Sequence, residues 1–222
     1  GAGSMHPEML VEHIRKMKEA TEKPWGINVP LLYPEIDRLM DIIIQEDVKI
    51  VFTSAGSPKK WTPLLKSHGI TVVHVISSTL FAKKCEEAGV DAVVAEGFEA
   101  GGHNGREETT TLTLIPNVVE SCSLPVIAAG GISSGKSVVA AMTLGAEGVQ
   151  IGTRFAVATE SSAHPAFKQR VFDTEEGGTM LALKKLAPTR LIKNEFFNQV
   201  KALEDAGAET AQLTELLGKG RA

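Results

Sequence analysis

Apolar residues recur along this chain in two alternating rhythms. Over residues 7–20 they fall at Met9, Leu10, Ile14 and Met17, the spacing of one helix face. Residues 25–29 (WGINV) form a short strand-like run ended by Pro30, and residues 35–45 return to helical spacing through Ile36, Leu39, Met40 and Ile43. The same exchange repeats downstream. KIVFT (49–53) predicts a buried strand, and Ser57-Pro58 opens a helix by the N-cap and first-turn proline rule. ITVVHVI (70–76) is the next strand. Ser77 or Ser78 then caps a helix that runs to Ala88 and stops at Gly89. DAVVA (91–95) predicts another strand, and EGFEAGGHNG (96–105) is too glycine-rich for either element. A helix over 112–121, the strand PVIAA (125–129), a helix from Ser133 or Ser134 to Leu144 with Gly145 as its stop, and the strand GVQI (148–151) complete the series. Beyond it the stretches 164–172, 179–185 and 196–217 read as helices with polar outer faces, and no further strand is expected.

Runs of Val, Ile and Ala without polar alternation suit parallel strands buried on both faces. Joined by helices at this spacing, they leave two architectures, the closed (β/α)8 barrel and the open doubly wound sheet. A nicotinamide-type open sheet would place G-x-G-x-x-G after its first strand. The opening GAGSMH lacks the third glycine and has no strand before it, so the barrel is favoured. Residues 1–158 carry the βα units, and 159–222 form a helical C-terminal extension.

Composition narrows the partners. The chain has 222 residues, a formal net charge of -4 and 43% hydrophobic residues, with no basic stripe for nucleic acid. No apolar run approaches the ~20 residues of a membrane span. No basic segment followed by an apolar one opens the chain, so no secretion signal is expected. The two cysteines, Cys85 and Cys122, are too few and too distant for a disulfide framework or a CxxC metal site; they fit buried thiols in a reducing cytoplasm, and no metal site is expected.

Two stretches carry candidate chemistry. PVIAAGGISSG and GVQIGTRF end adjacent strands in glycine. Without a Cβ in the way, a phosphate can approach the backbone N–H groups of such turns, and barrels build this site after their last two strands. Gly130, Gly131, Gly152 and Thr153 are therefore assigned to a phosphate, against the plainer reading as tight turns. The other stretch is EGFEAGGHNG, where His103 stands in a glycine loop at a strand's C-terminal end and can exchange a proton near neutral pH. Loop histidines are also often merely solvated. Glu96 follows the strand directly and either points into the barrel mouth or is a solvated turn carboxylate; Glu99 lies close by.

VDAVVAEGFEAGGHNG, the threonine run after it, LPVIAAGGISSGKSV, and LGAEGVQIGTRFAVATES with its following HP together resemble the nitronate monooxygenase family, which includes the flavin-dependent enoyl-acyl carrier protein reductases. Inosine monophosphate dehydrogenases share the phosphate turns but use a cysteine where this chain has AGGHNG. The resemblance implies FMN, its phosphate on Gly130, Gly131, Gly152 and Thr153, with Gln150, Gly101, Gly102 and Glu96 near the flavin or its ribityl chain. It implies Asn28 near the isoalloxazine, with Ser54, Ala55 and Gly56 lining the same mouth, and His103 as the catalytic histidine. It further implies NADH as reductant, an enoyl thioester substrate with acyl carrier protein as a partner, and a homodimer. Nitronate oxidation by O2 is the alternative activity. The family has eight strands; six are readable here, and Gly1–Ser4 matches the segment after the second, so a barrel without its first two strands is expected. A non-catalytic barrel fragment and a flavin-free phosphate-sugar enzyme are the remaining readings.

Overall fold

The computed structural model describes residues 1–3 and 5–218. Helix α1 (Pro7–Ala20) begins on a proline, whose missing N–H costs nothing in a first turn, and buries Leu10 and Ile14. It is followed by β1 (Ile27–Pro30), α2 (Ile36–Gln45), β2 (Ile50–Ser54), α3 (Thr62–Ser67), β3 (Thr71–Ile76), α4 (Thr79–Ala88) and β4 (Ala92–Glu96). After a two-residue strand, β5 (Gly102–His103), come α5 (Thr111–Ser121), β6 (Val126–Ala129), α6 (Gly135–Thr143), β7 (Gly148–Gln150) and the short α7 (Thr153–Ala156). Local signals set the ends as expected. The Ser78 hydroxyl accepts the Phe81 N–H, Gly89 leaves α4 in the left-handed region, and Ser134 with Ser137 forms a capping box on α6. The helix expected at Ser57-Pro58 starts later: residues 58–61 form turns, and Thr62 and Pro63 open α3.

The six predicted strands form one parallel sheet in the order β1-β2-β3-β4-β6-β7. Both faces are apolar. Outward residues Val51, Val72, Val93, Val126 and Ala128 pack under the helices with Leu39, Ile43, Leu65, Ile115 and Val118. Inward residues Val73, Val94 and Ala129 pack with Phe52, Val75 and Ile127. Burial from both sides is why β6, and β4 up to Glu96, are unbroken apolar runs rather than alternating ones. Pro30 is part of β1, not its stop. Among the described residues β1 pairs with β2 alone, and an edge strand tolerates a residue without an N–H.

The C-terminal stretch corrects the expectation of an all-helical extension. Helix α8 (Pro165–Phe172) lies where predicted, but residues 179–185 are not helical. They contain β8 (Thr179–Ala182), which pairs antiparallel with β9 (Thr189–Ile192), and β9 pairs on its other side with β5. The stretch over 196–217 divides at Gly207, φ 77°, into α9 (Glu195–Asp205) and α10 (Thr210–Leu217). This unit has its own small core of Ala182, Leu183, Phe197, Val200, Ala208 and Leu213. Among the described residues, no helix is long and apolar enough to cross a membrane.

Candidate active site

Parallel strands place their C-terminal ends on one rim. Register pairs Glu96 of β4 with Ala129 of β6, and Ala129 with Gln150 of β7. Side chains paired in parallel register share a sheet face, so Glu96 and Gln150 flank Ala129 on the inner face. Asn28 pairs with Phe52, and Phe52 with Val73, which sets Asn28 on the same face; its carbonyl accepts the Ala2 N–H at 2.7 Å. Glu96 is therefore not a solvated turn carboxylate. It is partly buried, and burial pushes its carboxyl up to about 7.

The two glycine turns differ in what they require. Gly130 and Gly131 have φ of 97° and 67°, and a Cβ on Gly130 would meet the Gly97 carbonyl oxygen at 2.6 Å. Beside Gly152 nothing lies within 4 Å of where a Cβ would stand. Among the described residues, the N–H groups of Gly131, Gly152 and Thr153 donate to no protein acceptor. Open donors on backbone without obstructing side chains fit a phosphate, so the chain's own residues suit the phosphate of FMN. Across from Thr153 lies Gly101: a Cβ there would reach the Thr153 hydroxyl at 3.9 Å, and Gly102, φ 87°, has open space beside it.

Glu99, close to Glu96 in sequence, has a different task. Its carboxylate accepts the Thr111 N–H at 2.9 Å, at the positive start of α5, and the Thr111 hydroxyl lies 3.1 Å from it and 2.9 Å from the Gly130 carbonyl. The threonine run thus braces the first glycine turn.

His103 lies apart from the six-stranded sheet. It is exposed, in β5, paired with Thr189 of β9. The loop around it is held by a residue with no local signal in the sequence. Arg190 directs Nε and Nη2 to the Phe98 carbonyl at 3.0 and 2.9 Å, and its guanidinium stands 5.1 Å from the Phe98 ring centroid. A second unforeseen group is His74 of β3. It is buried with its Nδ1 2.6 Å from the Thr53 hydroxyl, and burial pushes it down to about 4, so it is neutral. The backbone of Gly56, in the loop after β2, opposes that shift without overcoming it. Ala55, at φ 52°, and Gly56, at φ 150°, shape that turn, and the Ser54 carbonyl accepts the Leu31 N–H at 2.7 Å.

FabK from Thermotoga maritima superimposes with a TM-score of 0.92 at 39% identity, covering 98% of this chain and 69% of that one. The fold is accordingly that of a (β/α)8 barrel, of which this chain forms the six-stranded sheet. A probable nitronate monooxygenase from Staphylococcus saprophyticus is 32% identical over 210 residues, 88% of this chain and 59% of the relative. A Rhodococcus jostii protein, (3aS,4S,5R,7aS)-5-hydroxy-7a-methyl-1-oxo-octahydro-1H-indene-4-carboxyl-CoA dehydrogenase, is 35% identical over 159 residues, 72% of this chain and 44% of that protein. The chain thus spans about half the length of these curated relatives. The sequence model of one family, nitronate monooxygenase, matches residues 34–221, and together these findings establish that the chain belongs to the nitronate monooxygenase family.

Proposed function

We propose that this chain is an FMN-dependent oxidoreductase that reduces a trans-2-enoyl thioester, carried on acyl carrier protein, at the expense of NADH. The observation that carries the reading is the set of open N–H groups at Gly131, Gly152 and Thr153, with the Thr153 hydroxyl 3.9 Å from where a Cβ on Gly101 of the AGGHNG loop would stand. The 39% identity to FabK supports the reductase branch, and the resemblance to a carboxyl-CoA dehydrogenase supports a thioester substrate.

Bound FMN would supply a two-electron carrier between NADH and the acceptor. The chain's own residues would do the rest. Backbone N–H groups hold the phosphate, with Thr111 and Glu99 bracing the Gly130 turn. Phe52, Val75, Val94 and Ile127 keep the inner face dry below it. Reduction delivers a hydride to the β-carbon of the enoyl group and a proton to its α-carbon, and the His103 imidazole N–H supplies that proton. Glu96, half-protonated near pH 7, can hold a second proton on the same rim. Asn28 and Gln150, on the inner face, would orient the ring and its side chain.

The test is the absorption spectrum after adding FMN and desalting, followed by anaerobic NADH. Retained bands at about 370 and 450 nm that bleach with NADH, and recover with crotonyl thioester, are expected. Loss of all flavin on desalting would sink the reading and leave a non-catalytic barrel fragment. The family match favours one second reading, oxidation of alkyl nitronates by O2. Bleaching by an alkyl nitronate, recovery on admitting O2 and indifference to NADH would select it.

A further inference from the structure

Residues 179–217 are held to the sheet's rim through the His103 loop, and the contacts are unusual for a distant segment. Beside the β5–β9 pairing, the Asn104 N–H donates to the Pro188 carbonyl at 2.8 Å, and Arg106 Nη2 donates to the Leu186 carbonyl at 2.8 Å. At the loop's base, the Phe98 N–H donates to the Thr109 carbonyl at 3.0 Å, while the Phe98 carbonyl takes both Arg190 bonds. Among the described residues Arg190 has no carboxylate partner. Its third contact, Nη1 to the Thr179 hydroxyl, is long at 3.4 Å. A partly buried guanidinium that directs its two close N–H donors to one backbone carbonyl, and stacks on the same residue's ring, is placed to fix that residue.

We propose that Arg190 is a positioning residue for the His103 loop: by clamping Phe98 it sets the loop's conformation, and the C-terminal unit thereby controls whether His103 stands at the barrel mouth. This rests on His103 being the proton-transferring group, as read above. An alternative role, stability of the C-terminal unit alone, would make the Phe98 contacts incidental. The two differ in where loosening appears when Arg190 changes.

The experiment is amide hydrogen exchange on the full chain, comparing the parent with Arg190→Met and Arg190→Lys. Methionine keeps the stem against Phe98 and removes every N–H; lysine keeps the charge but not the flat donor pair. Loss of a charge-assisted pair predicts exchange about ten-fold or more faster over residues 98–105 in Arg190→Met, with a smaller rise in Arg190→Lys. Residues of α9 and α10 should exchange as in the parent. With FMN bound, kcat for NADH-driven reduction should fall while KM holds. Unchanged exchange over 98–105, or equal acceleration through α9 and α10, would overturn the proposal. If Arg190→Met does not fold, Arg190→Lys decides by the same criterion. Because exchange needs neither flavin nor substrate, a chain with no turnover would sink the catalytic reading of His103 while leaving the clamp standing.

Discussion

The six-stranded sheet and the C-terminal unit bury their apolar residues by opposite strategies. The sheet is apolar on both faces and shares one large core with six helices, from Leu10 in α1 to Ala141 in α6. The C-terminal unit has a core of six buried residues, and its hairpin meets the sheet's rim through backbone and side-chain hydrogen bonds to the loop after β4. A large shared core resists local opening, whereas a small one joined through a loop opens by itself. His103 lies on the seam, so chemistry assigned to the sheet's rim depends on the less stable region.

The largest expected effect tests that seam directly. Replacing His103 with alanine should lower turnover by about 10²–10⁴-fold, the range for removing a general acid, with flavin retention unaltered. Turnover within a few-fold of the parent would detach the loop from the chemistry. Core truncations come next. Leu39→Ala in the main core should cost about 2–5 kcal/mol of global stability, read from denaturant midpoints. Phe197→Ala should cost about 3–5 kcal/mol, but locally: protease cleavage within 179–217 while the sheet's circular dichroism persists. One shared unfolding transition in both variants would erase the distinction between the regions.

pH sharpens it further, since the two strongly shifted groups near the site both belong to the sheet. His74 is held at about 4 against an ordinary 6.5. The unfolded chain binds that proton first, so His74 makes stability fall as pH drops from 6.5 to 4. Glu96 acts in the other direction. Its folded carboxyl keeps a proton to about 7, the unfolded one releases it near 4.5, and stability therefore falls as pH rises from 4.5 to 7. The parent should show little net slope from this pair between pH 4.5 and 6.5. Glu96→Gln should uncover a rise with pH, and His74→Asn a decline, each on the order of 3 kcal/mol across its window. Opening of residues 179–217, followed by exchange, should be indifferent to both variants. The smallest effect is on surface pairs. Lys16→Ala, breaking the pair with Glu12, and Lys201→Ala, breaking the pair with Asp205, should leave both regions' midpoints unmoved.

How much of this was legible in the sequence follows the same division. Val, Ile and Ala runs at βα spacing announce β2, β3, β4 and β6, because burial from both sides leaves few polar positions to confuse the period. The turns at Gly130 and Gly131 were legible because only glycine takes their backbone geometry without strain. The hairpin was not. Met180, Leu181, Ala182 and Leu183 form an apolar run of good helix formers, and pairing of residues 179–182 with β9, which itself pairs with β5 far upstream, overrides that preference. Glu96 was ambiguous because its burial depends on neighbouring strands. Arg190 was invisible because its target, Phe98, lies 92 residues away and offers a backbone carbonyl that any residue would have.

Gly130 and Gly152 also answer to different judges. The first is demanded by the chain itself, since any side chain there collides with its own backbone. The second sits at an ordinary φ of -95° with empty space beside it, so alanine would fold without complaint. A randomised library screened for solubility alone should keep Gly130 and let Gly152 drift. Screened for flavin retention, it should keep both. The positions that become intolerant only under the second screen would trace the outline of the guest in the record of permitted mutations.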